Sequence, residues 1–546
     1  MMHRAGFVAA CYLTLTFLSL PMPAAGQAGV SPVKIVPAKL PRIATVDERY
    51  QSYNVEIAEV IGGNFWKPYT RASIAEMRAK ASGRSGEGVT GNTSPAKVGV
   101  DTDIYQARAP IDLTNARLRR LAKALAPAYV RVSGSWANSV YFDDADTPAP
   151  ATAPKGFTGV LTRAQWKGVI DFARAANARL VSSFAISSGV RDAAGAWTPV
   201  QARKLIAYTK AAGGDIAAAE MFNEPNMPTY AGAPAGYTAE DYARDFAVFE
   251  PFIRSVAPEM RIVGPGSVGE GILMPLLGAK FMPGYVSTEA MLAATPHPKF
   301  DIFSYHTYPA ASIRCASMGS AAQTTADSAL SEEWLSRTDR SYTYYVTGLR
   351  DRFEPGAPIW ITETADAACG GNPWANTFLD TFRYLDQMGR LARRGVQVIF
   401  HNTLASSEYG LLEENTFEPR PNYWGGLLWR RLMGTTVLDA GPSRPGLHLY
   451  AHCMFGSPGG VTLLVINNSR SEQSSLELPV PAERYTLSAQ RLETGEVELN
   501  GRPLSLGEND SLPELRGVPV AAGRMTLAPN TISFITIPSA ANAACR

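Results

Sequence analysis

Two glutamates lie at points where apolar, strand-like runs stop. Glu224 comes after the run 216–221 in "IAAAEMFNEPN", and Glu363 follows the run 358–362 in "PIWITET". Strand interiors disfavour Asn, Glu and Pro, so the residues around Glu224 mark a strand end. Two carboxylates that face one cleft can hydrolyse a glycosidic bond, one as a protonated acid and the other as an ionised nucleophile. Asn223 can then hydrogen-bond the sugar hydroxyl beside the reacting carbon.

Eight β-rich segments along the chain provide the elements that must position these glutamates. They are Val55–Ile61, Ala128–Ser133, Leu180–Ile186, Ile216–Met221, Met260–Val263, Phe300–Tyr305, Pro358–Thr362 and Val396–His401. Helical patterns separate most of them, which predicts parallel strands with crossover helices and a (β/α)8 TIM barrel over about 50–433. Reactive residues of such barrels lie at the C-terminal strand ends, where Glu224 follows the fourth segment and Glu363 the seventh. The alternative, an open doubly wound sheet, lacks a glycine-rich nucleotide loop after the first segment.

The helical patterns carry recognisable start signals. "TRAQWKGVIDFARAA" begins with Thr162 as a capping residue, and "TPVQARKLIAYTKAAGG" offers Thr198 as cap with Pro199 at the first helical position. In "FDIFSYHTYPAAS" the sixth segment runs into His306 and Tyr308. We expect the Tyr308 hydroxyl to orient the nucleophilic carboxylate. His306 is expected to support the site from behind, and a hydrogen-bonded core histidine is the alternative.

Composition limits the class of protein. The chain has 546 residues, 46% of them apolar, and a formal net charge of +2. A large core is therefore available, and the small charge argues against a general nucleic-acid or membrane surface. There is no CxxC or HExxH motif, so a structural zinc site is not predicted, and no cofactor is implied.

The N-terminus has the pattern of a secretory signal peptide. Arg4 precedes the apolar stretch 6–20, and small residues follow at 24–28. The alternative is a buried helix. A signal predicts a secreted or periplasmic protein with no membrane attachment after its removal. The four later cysteines then suggest two disulfides, and spacing alone leaves three pairings open.

The last part of the chain has a different pattern from the barrel. From about Leu447 short alternating strands are separated by Gly, Pro and Asn turns, which predicts a β-sandwich. The predicted organisation is a signal peptide at 1–28, a strand segment at 29–48 that joins the sandwich, the barrel at 49–434 and the sandwich domain at 435–546.

Several long stretches resemble one known family. "LAPAYVRVSGSWAN", "ETADAACGG", "LDQMGRLARRGVQVIF" and "SSEYGLLEENTFEPRPNYWGGLLWRRLMG" are similar, in order, to the heparanase-type glycoside hydrolases of family 79, clan A. The similarity runs from about residue 50 to the terminal "NAACR". It implies a barrel with a β-sandwich, a retaining mechanism and a β-linked uronic acid substrate.

The resemblance also implies roles for single residues. Glu224 would be the acid/base, Glu363 the nucleophile, Asn223 the ligand of the sugar 2-hydroxyl, and Tyr308 a neighbour of the nucleophile. The substrate carboxylate would be held by Tyr409 and by N–H groups at Cys369 and Gly370. Further expected sugar contacts are Ser135 and Glu59. Cys453–Cys545 would match the sandwich disulfide of the family, and we expect a second disulfide, Cys315–Cys369, beside the pocket.

Two departures from the family bear on the substrate. The lysine-rich loops of heparan-binding relatives have no counterpart in the nearly neutral "GPGSVGEGILMPLLGAK". The stretch 62–113 after the first segment is longer than in the animal enzymes. We expect it to close one end of the cleft, with Phe65, Trp66 and Tyr69 lining a pocket, although a peripheral excursion is the alternative.

The sequence thus predicts a retaining, exo-acting β-glucuronidase. Its partners would be glucuronides or glucuronic-acid-containing oligo- or polysaccharides, with no nucleic acid and no membrane. The alternatives are an endo-β-glucuronidase acting on glycosaminoglycans, a clan A β-glycosidase for neutral sugars, and a catalytically inactive sugar-binding protein.

Overall fold

The computed structural model describes residues 31–83, 104–146, 150, 152–277 and 284–546. The predicted signal peptide at 1–28 and residues 84–103 of the long stretch after the first strand lie outside these ranges. Within them, no helix combines the length and apolar character that crossing a bilayer requires.

Eight parallel strands close into a barrel, as the alternating pattern predicts. In chain order they are β1 (Gln51–Glu56), β2 (Ala128–Ser133), β3 (Ala178–Ser183), β4 (Ile216–Glu220), β5 (Arg261–Val268), β6 (Ile302–Thr307), β7 (Ile359–Thr364) and β8 (Val398–His401). Each strand pairs with the next, and β8 pairs with β1 to complete the ring. The inside of the barrel is filled by large side chains such as Tyr129, Trp360 and Phe400. The predicted TIM barrel is confirmed.

The prediction for the first strand is wrong in its bounds. β1 begins at Gln51 and ends at Glu56, and Ile57–Ile61 form a short helix instead of the rest of the strand. Glu56 and Glu59 form a reciprocal capping box that starts this helix, with Glu59 Oε2 2.6 Å from the Glu56 nitrogen. Apolar residues at 57 and 60 fit a helical turn as well as a strand, so periodicity alone did not separate the two.

Helices surround the barrel and connect its strands. They span Ile57–Ile61, Arg71–Gly83, Ala116–Ala124, Arg163–Ala175, Val200–Ala211, Ala239–Val256, Leu273–Leu277, Thr288–Ala293, Glu332–Leu335, Arg337–Tyr342, Asp351–Phe353, Phe378–Arg393 and Pro421–Leu432, with a π-helical stretch at Thr343–Arg350. Thr162 caps its helix as predicted, since its side chain accepts from the Gln165 nitrogen. Thr198 does not: its hydroxyl donates to the Val190 carbonyl, and Pro199 takes the cap position before Val200.

A β-sandwich packs beside the barrel. Its larger sheet runs in the order Arg42–Thr45, Met433–Leu438, His448–Met454, Val461–Asn467, Thr531–Ile537, Ala482–Ser488, Glu498–Leu499 and Arg502–Pro503, with Val518–Val520 also on Ala482–Ser488. The smaller sheet contains Val33–Lys34, Ser474–Leu478 and Gly523–Leu527. Strands from before the barrel therefore belong to both sheets. Apolar side chains between the sheets, among them Leu449, Val465 and Ile535, form a core of their own.

Two disulfides tie loops to this framework. Cys453 at the end of a sandwich strand is bonded to Cys545 near the C-terminus. Cys315, after β6, is bonded to Cys369, after β7, so the second disulfide joins two neighbouring loops at the C-terminal end of the barrel.

Candidate active site

A buried arginine lies at the centre of the carboxylates. Arg131 is fully buried in β2, where an apolar side chain would be ordinary. Its Nε and Nη2 donate to Glu220 Oε2 at 3.0 and 2.7 Å, and its Nη1 donates to Glu363 Oε2 at 3.1 Å. Nη2 also donates to Asn223 Oδ1 at 2.7 Å. One guanidinium thus fixes side chains from β4 and β7 relative to β2.

Glu363 lies near the end of β7, and donors approach both of its oxygens. The Tyr308 hydroxyl donates to Oε1, and Asn402 Nδ2 approaches the same oxygen at 3.4 Å. Burial and the neighbouring Glu363 charge raise the pKa of Tyr308 well above its ordinary value, so the phenol keeps the proton that it donates. With Arg131 on Oε2, the surroundings suit an acceptor-only carboxylate. Only 6% of Glu363 is exposed, so a substrate can reach its carboxylate only through a small opening.

Glu224 has the opposite environment. Its backbone has φ +50°, a left-handed conformation that is uncommon for a side-chain-bearing residue and that recurs at functional sites. Burial raises the pKa of its carboxyl to about 7, although Arg131 acts in the other direction. Oxygen atoms of Glu224 and Glu363 lie within 4.8 Å of each other. The two carboxyls therefore face one another in different surroundings.

His306 lies at the end of β6 between these two groups. Its Nδ1 is 3.0 Å from Glu224 Oε1, and its Nε2 is 3.4 Å from Arg131 Nη2. The guanidinium can only donate, so this contact assigns the proton to Nδ1, which then donates to Glu224. Burial lowers the pKa of His306 to about 4, so the ring is neutral at ordinary pH.

Asn223 is held by residues from the loop after β2. Asn138 exchanges two hydrogen bonds of 2.9 Å with the Asn223 backbone. The Asn223 side chain donates to Ser135 Oγ at 3.3 Å. The structure therefore brings Ser135, Asn223 and Glu224 to one side of the cleft.

The structure does not bring Glu59 to the catalytic pair. Its Oε1 accepts from Ser406 Oγ at 2.6 Å, and its Oε2 accepts from the backbone of Glu56. Glu56, at the very end of β1, is the acid that faces Glu363, whose charge adds to burial in raising the pKa of Glu56. Glu56 Oε2 has no hydrogen-bond partner among the described residues. A Cβ built on Gly134 would lie 1.5 Å from this oxygen, so only glycine fits beside it.

The turn after β7, called the nest below, has three consecutive residues with left-handed backbone. Cys369, Gly370 and Gly371 have φ of +64°, +79° and +84°. Their N–H groups donate to no other described residue. Consecutive free N–H groups of this kind bind anions without a charged side chain. The ring of Tyr409 lies against the turn, since a Cβ built on Gly371 would be 3.1 Å from Tyr409 Cδ1.

Asn402 connects the nest side of the pocket to the nucleophile side. Its Nδ2 lies 3.1 Å from the Tyr308 hydroxyl and 3.2 Å from the Tyr409 hydroxyl. The long stretch after β1 reaches the same place, because the ring of Trp66 lies over Gly370 and the Tyr69 hydroxyl donates to the Gly371 carbonyl at 2.9 Å.

Four functional candidates were missed by sequence reasoning: Glu56, Arg131, Asn138 and Asn402. A signal existed for the first two, since each is a charged residue inside an apolar run at a predicted strand. Asn138 and Asn402 carry no comparable signal, because their importance comes from the residues that folding places beside them.

By distance alone, Glu224, His306 and Glu363 could hold a metal ion. Arg131 already donates to Glu363 at 3.1 Å, so a metal ion there would face a buried positive charge. The buried guanidinium therefore disfavours a metal ion between these residues.

Comparison with known proteins decides the family. The model for "Glycosyl hydrolase family 79, N-terminal domain" matches residues 105–389, more than half of the chain. The chain belongs to glycosyl hydrolase family 79. It is therefore a glycoside hydrolase, of the retaining clan A class.

Similar proteins cover most of this family 79 chain. Heparanase-like protein 1 of Arabidopsis thaliana is 28% identical over 497 residues, which is 81% of this chain and 87% of the relative. Hyaluronoglucuronidase of Hirudo nipponia is 24% identical over 481 residues, 80% of this chain and 92% of the relative. The crystal structure of a 4-O-α-L-rhamnosyl-β-D-glucuronidase from Fusarium oxysporum has a TM-score of 0.58 at 13% identity, with 93% of this chain and 99% of that chain covered. At that identity the likeness shows the fold.

Proposed function

We propose that this family 79 enzyme is an exo-acting β-glucuronidase that removes a terminal β-D-glucuronate by double displacement. The observation that carries the proposal is the facing pair Glu224 and Glu363, with oxygens within 4.8 Å at the ends of β4 and β7. Retaining glycosidases have closely spaced carboxyls, whereas inverting ones leave room for a water between them.

In the first step, Glu363 attacks the anomeric carbon from below the ring. The bond from that carbon to the leaving oxygen breaks, and Glu224 gives its proton to this oxygen. A pKa of about 7 suits Glu224 to that task near neutral pH.

In the second step, Glu224 takes a proton from water, and the resulting hydroxide attacks the anomeric carbon of the glycosyl-enzyme. The bond to Glu363 breaks, and glucuronate leaves with its β configuration kept. Asn223, fixed by Arg131 and Asn138, is in position to bind the 2-hydroxyl during both steps.

The nest after β7 favours a substrate sugar that carries a carboxylate. The free N–H groups at 369–371 and the Tyr409 hydroxyl offer neutral donors to that anion. A neutral sugar would leave these donors unpaired on binding. The name of the Hirudo nipponia relative, hyaluronoglucuronidase, points to the same class of linkage.

Exo action is supported by the stretch after β1. Strand residues Gly63–Trp66 pair with Tyr105–Arg108, and the rings of Phe65, Trp66, Tyr105 and Trp136 pack with centroids 4.8–6.2 Å apart. This aromatic wall joins the loops after β1 and β2 beside the nest. A wall at one end of the cleft admits a chain terminus and excludes a continuing polymer.

Nitrophenyl β-D-glucuronide tests the proposal directly. We expect the wild-type enzyme to release nitrophenol and the β-anomer of glucuronate, as followed by NMR, and Glu363→Gln to be inactive. Faster hydrolysis of nitrophenyl β-D-glucoside would favour the neutral-sugar alternative. Digestion of a glucuronate-containing polymer distinguishes exo from endo action. Mid-sized products would contradict the exo action that we infer from the aromatic wall.

We also propose that the enzyme is exported. Two disulfides are typical of chains that fold in an oxidising compartment. N-terminal sequencing of the mature protein tests the export signal, and a mature chain that begins at residue 1 would contradict it.

A further inference from the structure

A second buried arginine binds the back of the nest. Arg314, after β6, has a fully buried side chain. Its Nη1 donates to the carbonyls of the nest at 3.0–3.3 Å, namely those of Cys369, Gly370 and Gly371. In a trans peptide the N–H points away from the carbonyl. Binding the carbonyls of residues 369 and 370 therefore turns the N–H groups of Gly370 and Gly371 away from Arg314 and leaves them free.

Arg314 also binds two other loops. Its Nε and Nη2 donate to the Lys67 carbonyl at 3.2 and 2.7 Å, and its Nη2 forms an ion pair with Glu408. The ring of Tyr69 lies 3.7 Å from its Cζ. Every N–H group of the guanidinium has an acceptor, which a lysine with three donors cannot reproduce. One side chain thus joins the loops after β1, β6, β7 and β8.

A third arginine repeats this arrangement beneath Tyr409. Arg420 Nη1 donates to the carbonyls of Ser407, Glu408 and Gly410 at 2.5, 2.9 and 3.2 Å. These carbonyls flank Tyr409, whose hydroxyl accepts a hydrogen bond from Asn402 Nδ2 at 3.2 Å. Glu408 connects the two arginines, because its carboxylate binds Arg314 and its backbone carbonyl binds Arg420.

We propose that Arg314 and Arg420, joined through Glu408, are positioning residues that set the preference of the enzyme for a carboxylate-bearing sugar. This inference rests on the proposed function, since it concerns the donors assigned to the glucuronate carboxylate. Neither arginine needs to contact the substrate in this role. Arg314 orients the N–H groups of the nest through the nest carbonyls, and Arg420 fixes the loop that carries Tyr409. Burying a guanidinium is costly unless all its donors are used, and Arg314 meets this condition.

The test compares Arg314→Lys and Glu408→Gln with wild type on nitrophenyl β-D-glucuronide and nitrophenyl β-D-glucoside. Both variants should raise KM for the glucuronide about tenfold or more, because hydrogen bonds to an anion are lost, while kcat changes less than about threefold. The inhibition constant of D-glucuronate should rise in parallel, and the slower glucoside reaction should be unchanged. Arg430→Lys is the matched control: Arg430 Nη2 donates to the Glu48 and Pro127 carbonyls, and this variant should leave all constants unchanged.

The outcomes separate this inference from the proposed function. A wild-type enzyme that cleaves no glucuronide would overturn both. Glucuronide cleavage with an unaltered KM in both variants would overturn the inference alone. Equal losses of kcat/KM on glucuronide and glucoside would show a merely structural role and also overturn it. If Arg314→Lys fails to fold, the isosteric Glu408→Gln variant decides.

Discussion

His306 Nδ1 lies 3.0 Å from Glu224 Oε1 and 3.6 Å from Glu363 Oε2, so one imidazole is in contact with both carboxyls of the proposed catalytic pair. The ring is neutral because burial lowers its pKa to about 4. It therefore orients Glu224 through a hydrogen bond without supplying a charge that would promote ionisation of that acid. In the proposed mechanism, the proton for the leaving group therefore stays on Glu224.

This arrangement predicts an alkaline limit to activity. Burial raises the pKa of Glu224 to about 7, so the acid is protonated below that pH and ionised above it. For methyl β-D-glucuronide, whose leaving group needs a proton, kcat/KM should fall about tenfold per pH unit above pH 7. Nitrophenyl β-D-glucuronide, with a better leaving group, should retain more activity there, and in Glu224→Gln only this substrate should still react. A limit near pH 4.5, where an ordinary glutamate ionises, would contradict the assignment of Glu224.

The burial of Arg131 predicts a large stability change on its removal. Arg131→Met would leave Glu220 and Glu363 as buried carboxylates without their partner, and loss of one member of a buried ion pair costs about 3–5 kcal/mol. Denaturant unfolding measures this change. Adding Glu220→Gln to Arg131→Met should restore part of the stability because it removes one unpaired charge. Arg163→Met, which breaks pairs with the half-buried Asp144 and the exposed Asp146, serves as control and should cost under about 1 kcal/mol. Equal costs for the two arginines would contradict the role of Arg131.

Much of the fold was predictable because barrel strands and helices have local signals. The Thr162 cap and the apolar stripe of Arg163–Ala175, with Trp166, Val169 and Ile170 buried, could be predicted from neighbouring residues. Glu224 and Glu363 could be located because a barrel places strand ends on one face. The predicted bounds of the first strand were wrong because Glu56 and Glu59 form a capping box that starts a helix. Over these few residues the local sequence fits a helix and an extended strand about equally, so tertiary contacts decide between them.

The contacts of the buried Arg314, which connect four loops, could not be predicted in the same way. Arg314 contacts residues from three other loops, among them Lys67, which is 247 positions away along the chain. No spacing rule relates such residues, because only closure of the barrel brings the loops together. A buried arginine in a loop also has no distinctive sequence pattern beside an exposed one.

Glu56, which ends β1, and Glu59, in the helix that follows, are predicted to differ in their effect on substrate binding. Glu56 Oε2 is buried beside Gly134 and has no hydrogen-bond partner among the described residues, whereas both oxygens of Glu59 accept hydrogen bonds. Glu56→Ala should raise KM for nitrophenyl β-D-glucuronide about tenfold, the cost of one lost hydrogen bond to the sugar. Glu59→Ala is the matched variant: like Glu56→Ala it breaks the capping box and should lower the free energy of unfolding by about 1 kcal/mol, but it should leave KM unchanged. A higher KM in Glu59→Ala, with KM unchanged in Glu56→Ala, would mean that Glu59 and not Glu56 contacts the sugar.

The junction of barrel and sandwich predicts a pH-dependent stability. His448 in the sandwich strand His448–Met454 lies 2.5 Å from Asp386 Oδ1 on helix Phe378–Arg393 and 2.9 Å from Glu332 Oε2. Although burial acts against it, Asp386 and Glu332 raise the pKa of His448 to about 9, from 6.5 in the unfolded chain. The stabilisation is fully present below pH 6.5 and is lost as pH rises through 9. His448→Gln should therefore lower the free energy of unfolding by about 3 kcal/mol at pH 6 and by less at pH 9.5. Denaturant unfolding of both proteins at the two pH values measures this, with His297→Gln, whose ring is partly exposed, as control. An equal loss at both pH values would mean that packing, and not the charge of His448, stabilises the junction.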